Sequence, residues 1–61
     1  MNRWLRCEHK TLPLCFAVAF SGARITHGAP YAMAIVRRRG LQDVGRFISH
    51  LERRGFQCSE L

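Results

Sequence analysis

Val44, Phe47, Ile48 and Leu51 recur at the i, i+3, i+4, i+7 spacing of one helical face, and no other pattern in the chain is as clear. Asp43 can cap the start of that helix, and Gly55 suits the left-handed position after its end. Phe56 can fold back on the last turn, where Arg53 and Arg54 meet the negative end of the helix dipole. An apolar stripe of this kind needs a surface to cover it. The nearest candidate is "PYAMAIVRRR" (Pro30–Arg39), where proline opens a run of helix formers and Gly40 can end or bend it. These signals predict a mainly α chain: a small helical pair over 30–39 and 42–54, as a helix–turn–helix or a single kinked helix. The same stripe could instead serve self-association through Val44, Phe47, Ile48 and Leu51.

Upstream, "LPLCFAVAF" (12–20) alternates bulky Leu12, Leu14, Phe16, Val18 and Phe20 with smaller residues. A buried strand fits, and a short buried helix fits the same run. Residues 21–29 carry two glycines and read as loop. Residues 1–11 are polar, with one tryptophan and no clear period, and are expected to be poorly ordered. With 61 residues the chain is a single small domain or a fragment. A lone core of this size supplies no more than about 3–5 kcal/mol. The odd number of cysteines, Cys7, Cys15 and Cys58, argues against a disulfide framework and for a reducing, cytoplasmic setting.

The longest uncharged run, Thr11–Ala23, is far short of the about 20 residues that span a bilayer. A signal peptide could be assembled from Arg3, Arg6 and Lys10, the run "LPLCFAVAF" and the small residues "SGA". Glu8, His9 and Pro13 oppose that reading.

Ten Lys+Arg stand against four Asp+Glu, and every basic residue except Lys10 is arginine. The planar guanidinium fork matches phosphate, so the composition leans toward nucleic acid or an anionic membrane surface. On a helical wheel Arg46, His50 and Arg53 lie together, opposite Phe47, Ile48 and Leu51. With the run Arg37, Arg38 and Arg39 they are the candidate contacts to duplex DNA, through phosphate and not through bases. The competing account is a solvated helix face beside a basic turn. The amphipathic alternative is a peptide on an anionic membrane surface, using "LPLCFAVAF" and the arginines.

A base-reading helix-turn-helix would place apolar residues where this chain has Arg39, Arg46 and Ser49. Cys7, His9 and Cys15, with His27 or Cys58, lack the paired spacings of structural zinc. Ser21, Ser49 and Ser59 have no recognisable histidine–carboxylate partners, and no glycine-rich phosphate loop occurs. The expectation is a binding chain without catalysis and without a cofactor.

The segment "DVGRFISHLERRGFQCSEL" (43–61) resembles the N-terminal core-binding, SAM-like region of tyrosine-type recombinases and phage integrases. Val44, Phe47, Ile48, Leu51, Arg54, Gly55 and the final Ser59, Glu60 and Leu61 keep step with its first helix and the lead into its second. The upstream "APYA" (29–32) is similar to the opening of some such integrases. The resemblance covers about a third of the chain. It implies a helical module that clamps one side of duplex DNA. The family's active site lies in a separate domain for which this chain has no room. The H-x-x-R of His50 and Arg53 does not sit in the surroundings of the family's catalytic box, and Tyr31 does not carry over as nucleophile.

"IVRRRGLQDVGRFISHLERRGFQ" is also similar to a strand–turn–helix–strand segment of serine recombinases, although the aspartate of their turn motif and their catalytic serine have no counterpart. A truncated recombinase frame would account for residues 1–28, which neither family explains. The remaining possibility is a reading frame without a selected function.

Overall fold

A computed structural model describes residues 2–61. More of these residues lie in strands than in helices, so the expectation of a mainly α chain is corrected. The chain order is β1 (Arg3–His9), β2 (Cys15–Ser21), β3 (Arg24–Gly28), α1 (Pro30–Arg39), α2 (Val44–Glu52) and β4 (Phe56–Glu60). The strands form one antiparallel sheet in the order β3-β2-β1-β4, and the last strand returns to pair with the first.

The register explains the sheet. Leu5 pairs with Val18, Cys7 with Phe16 and Cys58, and His9 with Phe56, so these side chains share one face. That face packs against Ala32 and Val36 of α1 and Phe47 and Leu51 of α2 in a single core. Phe16 is its aromatic hub, with Phe56 at 5.6 Å, Tyr31 at 5.8 Å and Phe47 at 6.4 Å between ring centroids. On the other face Trp4, Ala19 and His27 are in register. The Trp4 and His27 rings meet edge to face at 5.6 Å, and Ala19 is fully buried.

Residues 3–9, expected to be poorly ordered, form β1 between β2 and β4. Only Leu5 and Cys7 are buried in it, too few for a visible period. Its core-side ends are polar and find distant partners. Arg3 pairs with Glu60 and lies over the Phe20 ring at 5.3 Å. The ring of His9 ties three segments together. Its Nδ1 accepts the N–H of Leu12 at 3.0 Å and that of Thr11 at 3.2 Å, which leaves Nε2–H to donate to the carbonyl of Arg54 at 2.9 Å. Gly55 sits beside this ring with φ +91°, and a Cβ there would come within 2.7 Å of Nε2. Both its backbone angle and the ring therefore require glycine.

The helices fall where the sequence puts them, with modest trimming. α1 has the expected bounds 30–39 and closes on Gly40 at φ +63°. α2 runs 44–52 instead of 42–54, because residues 41–44 do other work. The N–H of Ile25 donates to Gln42 at 2.8 Å and that of Val44 to Ala23 at 2.7 Å, which holds this linker on β3. The apolar strand begins at Cys15 instead of Leu12, and Leu12 and Leu14 are exposed. The stripe offered for self-association is used within the fold: Phe47 and Leu51 are buried, and Val44 and Ile48 are half-buried. No helix among the described residues is long and apolar enough to cross a membrane.

Candidate nucleic-acid interface

The helical layer concentrates the positive charge. Residues 30–55 contain six arginines and two carboxylates, Asp43 and Glu52. Asp43 is engaged in capping: its Oδ2 accepts the N–H of Arg46 at 3.1 Å. The ion pairs among the described residues are Arg3–Glu60 and Arg6–Glu8, both on the sheet. None of the six helical-layer arginines is neutralised by a neighbouring carboxylate.

The fold divides these arginines into two groups. Arg38 and Arg39 from the last turn of α1 meet His50 and Arg54 around a cleft of about 280 Å³, with Leu51 and Phe56 in its lining. Arg46 and Arg53 line a second depression beside Ser49, Leu41 and the capping Asp43. Arg37 is exposed in the same helical turn as Arg38. His50, placed by the helical wheel with Arg46 and Arg53, is instead only 7% exposed and belongs to the first group. A wheel drawn for one helix does not register the residues of α1 and β4 that share this cleft.

Arg54 is the contact that sequence reasoning missed. Its Nη1 lies 3.4 Å from both the carbonyl oxygen and Nδ1 of His50, one helical turn back. The i, i+4 spacing of His50 and Arg54 was the available signal. Tyr31, which does not carry over from the family as nucleophile, also lines this cleft and is 57% exposed.

Burial holds the His50 imidazole below its ordinary pKa, and Arg54, Arg39 and Arg53 lower it further. The ring is therefore neutral at pH 7, and its Nδ1 can accept from Arg54. The linkage has a definite sign. The unfolded chain protonates His50 near pH 6.5, before the folded chain does, so acidification favours unfolding below that pH. Thermal melts should show stability level above about pH 6.5 and falling toward pH 5. A His50→Gln variant should lack this part of the slope. An equal slope in both proteins would remove His50 as its source.

Cys7 and Cys58 face each other across β1 and β4, and burial raises both thiols above their usual pKa. Cys15 is exposed at the start of β2. His9 is occupied by backbone partners, and no group of three potential metal ligands comes together among the described residues.

Residues 43–61 form a helix and a strand, so Ser59 and Glu60 lie in β4 and not on the way to a second helix. Of the strand–turn–helix–strand order, the helix and last strand are present, while Ile35 and Val36 are helical. The chain matches no protein-family model, no curated protein and no solved structure.

Proposed function

We propose that this chain binds the phosphate backbone of nucleic acid, duplex DNA included, through its helical layer and acts by binding without catalysis. The observation that carries the reading is the convergence of Arg38, Arg39 and Arg54 on one cleft with no carboxylate in its lining. Guanidinia that line one cleft without a carboxylate repel one another, and an anion with several oxygens relieves that repulsion. Arg46, Arg53 and Arg37 extend the positive surface beyond the cleft. Neutral His50 orients Arg54 without cancelling its charge. The membrane reading has less support, because Val18, Ala19 and Phe20 of its apolar run are buried in the sheet.

Fluorescence polarisation with a labelled duplex, repeated over a series of salt concentrations, tests this. Each neutralised phosphate contributes about −0.9 to the slope of log K against log salt. Three to five engaged arginines therefore predict a slope between about −3 and −4.5. Absence of binding at low salt would end the proposal.

A further inference from the structure

We infer that the arginine cleft takes a nucleotide whose base is unstacked, so that single-stranded nucleic acid is preferred over duplex. The inference rests on the phosphate-binding reading above and adds the class of strand.

Tyr31 is a wall shared by two clefts of opposite character. On one side are Arg38, Arg39 and Arg54. On the other is an apolar cleft of about 420 Å³ formed with Leu14, Phe16 and Pro30. Phe16 meets the Tyr31 ring edge to face at 5.8 Å and steadies it, yet more than half of the tyrosine remains open. Leu14 is 41% exposed beside it. Arg38 follows Tyr31 by two helical turns, about 10 Å along the axis. Both side chains line the same cleft.

A nucleotide has the same two parts side by side: a flat, largely apolar ring system and a phosphate. Base–aromatic stacking is tolerant of sequence and strong enough to matter for affinity. The rings of Tyr31, Phe16 and Pro30 suit a flat occupant better than a flexible acyl chain. In a duplex the bases are already stacked on both faces, so only a single strand or an opened end can use Tyr31. Duplex can still bind the arginines alone.

The test compares short oligo(dT) with a duplex by polarisation, on the parent, Tyr31→Ala and Tyr31→Phe, with thermal melts to confirm folding. The parent should bind oligo(dT) more tightly than duplex. Tyr31→Ala should weaken oligo(dT) binding about tenfold and duplex binding far less, while Tyr31→Phe keeps both. Equal parent affinity for the two ligands would overturn the inference, and that readout needs no variant. So would oligo(dT) binding that is indifferent to Tyr31→Ala. In either case salt-dependent duplex binding would leave the backbone reading standing. Binding to phosphatidylglycerol vesicles but to neither oligo(dT) nor duplex would overturn both and reassign the two clefts to a lipid.

Discussion

Replacing Phe47 by alanine should unfold the protein at room temperature. Phe47 is completely buried and is the largest fully buried side chain. It lies where α2 meets the sheet, and its ring is 6.4 Å from that of Phe16. Truncating a buried phenylalanine costs about 3–5 kcal/mol in lost transfer energy and residual cavity. A single core in a chain this short supplies about the same amount, so little or no net stability should remain. Circular dichroism would show the loss as the disappearance of a cooperative melt. Ile48→Ala on the same stripe is the useful comparison. Ile48 is only half-buried, and its truncation should cost about 1–2 kcal/mol and lower the midpoint without abolishing the transition. A Phe47→Ala protein that still melts cooperatively near the parent would mean that the core is organised around other residues.

The helices were legible because their signals are local. Pro30 and Gly40 bracket α1, and the stripe from Val44 to Leu51 marks α2. The sheet was not legible for the opposite reason. β1 and β4 bury few large residues and pair across nearly the whole chain, Leu5 with Glu60 and His9 with Phe56. Arg3, Glu60 and His9 look like surface residues in isolation, and each is satisfied by a partner far away in sequence. β2 was half legible. Its alternation is real from Phe16 to Phe20, but Leu12 and Leu14 prolong the pattern into an exposed loop.

The site shows the same division. Charge and a helical wheel singled out Arg37, Arg38, Arg39, Arg46, His50 and Arg53 as candidates. They could not show that His50 would be buried, that Arg54 would share a cleft with Arg38 and Arg39, or that Tyr31 would stand at its edge. Those relations depend on where the two helices rest on a sheet the sequence barely announces.

The helical layer binds phosphate either by its placement or merely by being basic. Two variants that lose the same charge separate these cases. Arg38→Glu, Arg39→Glu and Arg54→Glu together reverse the cleft, while Arg6→Glu, Lys10→Glu and Arg24→Glu together reverse exposed bases of the sheet layer. Melting curves must first show both to be folded; if Arg54→Glu prevents folding, Arg54→Gln replaces it and Arg24→Gln replaces Arg24→Glu, so that the two variants still lose the same charge. The decisive measurement is the affinity of each for duplex DNA across salt. The cleft variant should bind about a hundredfold more weakly than the parent at low salt, with a slope shallower by about 3, one for each lost phosphate contact. The sheet variant should keep the parental slope and lose far less affinity. Equal losses in the two variants would contradict the account, because binding would then follow net charge and not the cleft.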